Sequence, residues 1–375
     1  MFVLTFVIFL LTFLTFVYAY KISFFFFGLF RIKEGKNPHL HPATILIPAR
    51  NEEQNIRNCL DCLVNQNYPE NKLQIIVIDD NSTDRTAEVV RSYFQKYPFI
   101  HLINLDQCPP GISPKKRALQ AGIEAAEHEI IFTIDADCQA PLNWVKTMMQ
   151  HFTDKVGLVA GYVFFNRQHE KNLFQKIVSL EFIGLTTAGI GSIGAGDPII
   201  ANGANLAFRK RAFYDAEGYQ NESHIISGDD DLLVQNIDTK TNWQIRAAIN
   251  LDAVVQTAPP ATFIDFMNQR VRWASKGLIY KKLSLVFFLI MVYLFYLMLF
   301  ISLPFALTYP ASFPYPLFAF AIKLIVDFLL ILKGTAILNR KDLRKYFLPA
   351  EIFQLPYIIY VGFAGILGTF EWKGR

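Results

Sequence analysis

The chain has 375 residues, with 36 Lys and Arg against 32 Asp and Glu for a formal net charge of +4, and it is 52% hydrophobic but only 18% charged. Such an apolar composition excludes a disordered chain, and four cysteines over this length exclude a scaffold built on disulfides. A charge this mild leaves no electrostatic footprint for nucleic acid, and no nucleic-acid partner is expected.

The first predicted element is a membrane span within residues 1–30. Met1 to Tyr20 carries no charge, and about 20 apolar residues cross a bilayer core of about 30 Å. No Lys or Arg precedes Lys21 and no small-residue cleavage site follows, so the segment reads as an anchor rather than a signal peptide. Lys21, Arg31, Lys33 and Lys36 come next, and basic flanks stay cytoplasmic. The chain should therefore enter the cytoplasm here.

Residues 42–282 are long enough for one domain. Ala43 to Pro48 reads as a buried strand. Asn51 to Gln66 has helical spacing through Ile56, Leu60 and Leu63. Cys59 and Cys62 have C-x-x-C spacing, but no second pair completes a zinc set, so they read as helix packing and as reduced thiols. Leu73 to Ile78 is a second strand, closed by Asp79-Asp80-Asn81-Ser82-Thr83-Asp84, where Ser82 or Thr83 should cap a helix reaching Tyr93. Phe99 to Leu105 is a third strand and Lys115 to Ala126 a helix. Glu129 to Ile134 is a fourth strand, ending in Asp135-Ala136-Asp137. Alternation of this kind predicts an α/β fold, a mainly parallel sheet with helices on both faces. Asn172 to Asn205 is apolar and rich in glycine. Glycines there would let a ligand or another backbone approach closely at the membrane surface, against the simpler reading of a flexible loop with an apolar helix.

Residues 283–370 form a membrane region, with predicted spans at 283–309, 317–338 and 352–370. The loop Pro310 to Pro316 is uncharged, whereas Asn339 to Lys345 carries Arg340, Lys341, Arg344 and Lys345, the mark of a cytoplasmic turn. Gln354 and Pro356 weaken the last span, and two basic residues in the tail Glu371–Arg375 suit an external position poorly. A re-entrant or interfacial segment is the alternative. Lys323 and Asp327, four apart inside the second of these spans, should pair.

Sheets of this type bind ligands at the carboxyl ends of their strands, and two of the four predicted strands end there in carboxylates. Turn preference explains one such aspartate. It explains less well Asp79-Asp80 and Asp135-x-Asp137 on converging strand ends. No G-x-G-x-x-G and no G-x-x-x-x-G-K-[ST] follows the first strand, so neither a dinucleotide fold nor a P-loop is supported. A D-x-D at a strand end suits Mg²⁺ or Mn²⁺, hard ions that share oxygen ligands with a diphosphate.

With these motifs in place the chain resembles an inverting family 2 glycosyltransferase of the GT-A fold. The nearest likeness is to the membrane-embedded branch with the cellulose, chitin and hyaluronan synthases and ceramide glucosyltransferase. The resemblance rests on Ile47-Pro48-Ala49-Arg50-Asn51-Glu52-Glu53, Asp79 to Asp84, Lys115-x-x-Ala118-Leu119, Asp135-Ala136-Asp137, Asn202-Gly203-Ala204-Asn205, Gly228-Asp229-Asp230-Asp231-Leu232 and Gln269-x-x-Arg272-Trp273. It covers about Ala43 to Trp273, and the order of the motifs is more specific than any one of them.

The resemblance implies a UDP-sugar donor. Asp79 and Asp80 would hold its uracil or ribose, with Pro48, Arg50 and Glu52 lining the same pocket. Lys115 would lie near the nucleotide, and Asp135 and Asp137 would hold Mg²⁺ or Mn²⁺ on the diphosphate, Asp137 more directly. Gln269, Arg272 and Trp273 would close over diphosphate and acceptor, with Asn202, Gly203, Ala204 and Asn205 in the acceptor region. The general base would be Asp230 if the glycine is matched, or Asp229 if the later Asp-Leu is matched; Asp230 is preferred. The acceptor would be a membrane-delivered lipid, a glycolipid or polyprenyl phosphate. The alternative is a growing polysaccharide made processively.

Overall fold

The computed structural model of the protein describes residues 2–220, 223–225 and 227–367. They fall into two compact units: residues 31–169 with 192–258, and residues 2–30 with 170–191 and 259–367.

The first unit is built on a seven-stranded sheet. Its strands in chain order are β1 (Ala43–Ala49), β2 (Leu73–Asp80), β3 (Ile100–Leu105), β4 (Ile130–Thr133) and β5 (Val156–Gly161), followed, after β6 (Val163–Phe165), by β7 (Leu206–Arg209) and β8 (Gln244–Ala248). The spatial order is β3-β2-β1-β4-β7-β5-β8. All pairings are parallel except those of β7, which runs antiparallel to both β4 and β5. β6 pairs with β9 (Val255–Thr257) in a separate parallel ribbon.

Every residue of β2 and all but Pro48 of β1 are buried, as continuous apolar strands covered on both faces should be. The chain runs outward from β1 through β2 to β3, then returns to the other side of β1 as β4. The resulting switch point lies between the carboxyl ends of β1 and β4, where an open α/β sheet leaves a crevice. Register brings the tips level, with Ala49 opposite Asp79 and Leu46 opposite Thr133.

Two helices differ from expectation in instructive ways. The one predicted from Asn51 begins at Ile56, because residues 51–55 are held as a loop. Ser82 and Thr83 do not cap the next helix, Thr86–Arg91: Ser82 Oγ accepts from the Asn51 N–H at 2.9 Å, and the Thr83 N–H donates to Asn51 Oδ1 at 2.8 Å. The helix Pro114–Ala125 starts where proline is favoured, behind Ser113.

The second unit is helical. Five segments among the described residues are long and apolar enough to cross a membrane: Thr5–Gly28, Leu173–Gly194, Leu283–Thr308, Pro310–Ile337 and Lys341–Leu367. The second was not among the predicted spans. Its glycines and those facing it serve close helix packing: a Cβ on Gly191 would stand 2.4 Å from the Phe25 carbonyl oxygen, and one on Gly334 only 2.2 Å from Thr187 Oγ1. The stretch from Leu173 to Gly194 is thus an apolar helix.

Lys323 and Asp327 pair at 2.9 Å as expected, and the pair is the centre of a larger cluster. Lys323 also binds Glu351 and, at 3.0 Å, Gln354 Oε1. The hydroxyl of Tyr18 donates to both Asp327 oxygens at 2.8 and 2.9 Å, and that of Tyr296 to Gln354 Oε1 at 2.7 Å. Gln354, which seemed to weaken its span, is therefore consumed inside the unit. The tail Glu371–Arg375 and residues 368–370 of the last predicted span lie outside the described residues.

Candidate active site

The loop after β1 and the loop after β2 are bonded into one structure. The Asn51 N–H reaches Ser82 Oγ, the Glu52 N–H reaches Thr86 Oγ1 at 2.8 Å, and the Glu53 N–H reaches Asp84 Oδ2 at 3.0 Å. In return the Arg85 N–H donates to Glu53 Oε2 at 3.0 Å. Asn51 and Asn81 take the left-handed conformation, φ 53° and 56°, which asparagine tolerates. Asp79 Oδ1 accepts from the Ser82 N–H at 3.2 Å and so shapes its own turn. Arg50 donates to the Asp80 carbonyl at 3.0 Å, and its guanidinium lies 3.5 Å from the Asp80 carboxylate. Burial raises the Asp80 carboxyl above its usual range, with Arg50 opposing. The buried Glu52 receives the Asn55 amide at 2.8 Å, and Pro48 is half-buried at the end of β1. The structure thus gathers Pro48, Arg50, Glu52, Asp79 and Asp80 at the tips of β1 and β2.

Across the switch point, Lys115 joins the remaining acidic motifs. Its ammonium lies 2.8 Å from Asp135 Oδ1 and 3.2 Å from Asp229 Oδ2. Burial alone would lower its pKa, but the carboxylates of Asp135, Asp229 and Asp230 outweigh burial and hold it well above the usual value. Asp230 caps the helix Asp231–Lys240: its Oδ1 accepts from the Asp231 N–H at 2.8 Å and its Oδ2 from the Gly203 N–H at 2.9 Å. Gly203 is pressed against this group. A Cβ there would stand 2.9 Å from Asp229 Oδ2 and 3.4 Å from Lys115 Nζ.

The Asn202 to Asn205 segment divides in two. Gly203 borders the acidic loop, whereas Asn205 lies in the interior. It is fully buried, accepts from Trp144 Nε1 at 2.8 Å, and donates to the carbonyls of Tyr162 and Ala253, both at 2.7 Å. Asn202 Oδ1 accepts from the Ala204 N–H at 3.0 Å, and Ala204 is buried. The Asn205 amide is a bracket between β5–β6, β7 and the turn before β9.

Asp135, Asp137 and Cys138 offer ligand atoms that all lie within 4.8 Å of one another. Two carboxylates at that separation fit a hard divalent ion. The thiol does not. Burial, then the charges of Asp137 and Asp135, push Cys138 well above the usual thiol range, so it stays an S–H, 3.4 Å from Asp137 Oδ1. The Thr257 hydroxyl donates to Asp137 Oδ2 at 3.5 Å. Neither Cys138 nor Thr257 was singled out by sequence, since neither residue type carries the chemistry itself. Asp137 is exposed, whereas Asp135 is partly screened by Lys115.

Gln269, Arg272 and Trp273 are on the amphipathic helix Phe263–Ala274 of the helical unit, which opens with a capping box between Thr262 and Asp265. All three are half-buried.

The family model described as glycosyl transferase family 2 matches residues 44–215, and that of glycosyl transferase family group 2 matches residues 130–338. Among curated proteins, the chain is 28% identical over 243 residues to the probable glycosyltransferase YdaM of Bacillus subtilis, covering 63% of this chain and 55% of that one. It is 27% identical over 277 residues to the beta-monoglucosyldiacylglycerol synthase of Synechocystis, covering 67% and 54%. It is 26% identical over 249 residues to a poly-beta-1,6-N-acetyl-D-glucosamine synthase of Staphylococcus epidermidis, covering 62% and 54%. The chain spans about half the length of these curated relatives. A solved structure, mannosyltransferase PcManGT from Pyrobaculum calidifontis in complex with GDP-Man and Mn²⁺, superposes with a TM-score of 0.62 at 18% identity, over 97% of this chain and 99% of that one. At that identity the likeness is one of fold.

Proposed function

Because the chain belongs to glycosyl transferase family group 2, we propose that it moves a sugar from a UDP-sugar, with inversion, onto a lipid acceptor delivered by the membrane. The observation that carries this reading is the convergence of Lys115, Asp135 and Asp229 beside Asp137 at the carboxyl ends of the strands. Pro48, Arg50, Glu52, Asp79 and Asp80 are assigned to the uridine, and Lys115 to the nucleotide side of the site. Mg²⁺ or Mn²⁺ would be held by Asp137 and Asp135, and when bound it supplies positive charge against the departing diphosphate.

The acceptor hydroxyl attacks the anomeric carbon, the bond from that carbon to the diphosphate oxygen breaks, and UDP leaves with the electron pair. The proton passes to a carboxylate. We assign that task to Asp229 rather than Asp230. Both oxygens of Asp230 accept backbone N–H groups, and turning it toward a hydroxyl would break the helix cap and release Gly203. Asp229 faces Lys115 instead. Gln269, Arg272 and Trp273 are assigned to diphosphate and acceptor, a guanidinium suiting phosphate and an indole face suiting a sugar ring.

A lipid acceptor is supported by five helices able to cross a membrane and by the relative named a glucosyldiacylglycerol synthase. The basic residues Lys33, Lys36, Arg340, Lys341, Arg344 and Lys345 support a cytoplasmic sheet unit. The test is nucleotide release by the full chain in lipid from UDP-glucose, UDP-N-acetylglucosamine and GDP-mannose, with Mn²⁺ or Mg²⁺. UDP release that vanishes with chelator and in Asp137→Ala is expected. Activity that survives both, or release of GDP alone, overturns the site or the donor. Long polymers among the products would sink the lipid reading in favour of a processive synthase.

A further inference from the structure

The second residue of the Gln-x-x-Arg-Trp stretch is itself an arginine, and its guanidinium is engaged on its edges and its face. Arg270 is 4% exposed. Its Nε and one terminal nitrogen form a two-pronged pair with Glu181, on the helix Leu173–Gly194. Its other terminal nitrogen donates to Gln269 Oε1 at 2.7 Å. The ring centroids of Trp273 and Phe266 lie 4.3 and 4.7 Å from the guanidinium carbon. These rings belong to residues three after and four before Arg270, hence on the same helix face. Trp273 is also 5.9 Å from the ring of Phe182, the neighbour of Glu181. Tyr357 completes the arrangement by donating to Glu181 Oε1 at 2.6 Å.

A buried ion pair is poor evidence of stabilisation, since a well-packed apolar pair commonly does as well. What apolar side chains cannot do is hold an amide along one edge and an indole across one face. A guanidinium does both, because its donors form a rigid planar fork and its faces stack. We propose that Arg270, clamped by Glu181, is the positioning residue that fixes Gln269 and Trp273, and thereby the motif's hold on donor diphosphate and acceptor. The proposal deepens the transferase reading and rests on it. It adds that Glu181 and Tyr357, 88 residues before and 84 residues after the motif and outside any motif named above, set turnover without touching substrate.

Three variants of the full chain in lipid test it. Glu181→Gln keeps the shape but leaves the guanidinium without its counter-charge, and should lower kcat for nucleotide release about 10²-fold with little change in donor KM. Tyr357→Phe should give a smaller loss of the same kind. The double replacement Glu181→Leu with Arg270→Met should recover the melting temperature and leave kcat low. If that apolar pair restores turnover, the role is structural and the proposal fails. Amide exchange over residues 263–274 reads placement without turnover: it should rise in Glu181→Gln, and unchanged exchange overturns the proposal on its own. A wild-type chain that releases no nucleotide would refute the transferase reading, and the exchange result would still stand for or against the clamp.

Discussion

Gly203 shows how little room the site allows. A methyl group there would lie 2.9 Å from Asp229 Oδ2, closer than carbon and oxygen tolerate, and the carboxylate would have to yield. Gly203→Ala should therefore fold, with kcat reduced about 10- to 100-fold if Asp229 is the base; parallel kinetics and melting curves check it. Asp229→Asn should cost more than Asp230→Asn in kcat, while Asp230→Asn should cost more in melting temperature because it weakens a helix cap. A second residue-scale effect concerns pH. Burial, helped by Arg246, lowers His151 from 6.5 to about 4. The unfolded chain thus binds the proton first, so stability is complete above about 6.5 and is lost as pH falls toward 4, by up to about 3 kcal/mol. Denaturation curves at several pH values should show this slope, and His151→Phe should flatten it. Lys115 contributes no such slope near neutrality, because its raised pKa keeps it charged throughout. At this scale the acidic strand tips were legible because carboxylates at such ends have few structural reasons to be there. The bracket made by Asn205 was not legible for the converse reason: its partners Trp144, Tyr162 and Ala253 come from distant parts of the chain, and nothing local announces them.

Between elements, the two loops after β1 and β2 act as one. Thr86 supplies the acceptor for the Glu52 N–H, in a position that is fully buried. Thr86→Val keeps the shape and removes that acceptor, and should destabilise by about 1–3 kcal/mol in chemical denaturation. Such bonding also explains why the helix after β1 starts five residues later than its apolar spacing suggested. Periodicity reports where a helix can form, and here the loop's side-chain and backbone partners lie about 30 residues away in the next turn. The parallel order of β1 to β4 was readable from the alternation of elements. The reversed strand β7 was not, since a strand of only four residues has the same appearance in either direction.

For the molecule as a whole, the membrane-capable region was largely visible in composition, but its internal wiring was not. Lys323 and Asp327 could be paired from their spacing on one helix, whereas Tyr18, Tyr296, Glu351 and Gln354 come from three other helices. Removing the lysine leaves two buried carboxylates facing each other. Lys323→Met should thus cost about 3–5 kcal/mol, seen as early melting in detergent, and the added change Glu351→Gln should recover part of it. The helix Leu173–Gly194 has a different consequence. It is translated after β5 and before β7, yet β7 is the strand that bridges β4 to β5. During synthesis β4 and β5 lack the strand that joins them until this apolar helix has left the ribosome. No single cut through the chain then yields a water-soluble sheet unit: a fragment ending after β9 still carries the helix, and one ending before it lacks the bridging strand.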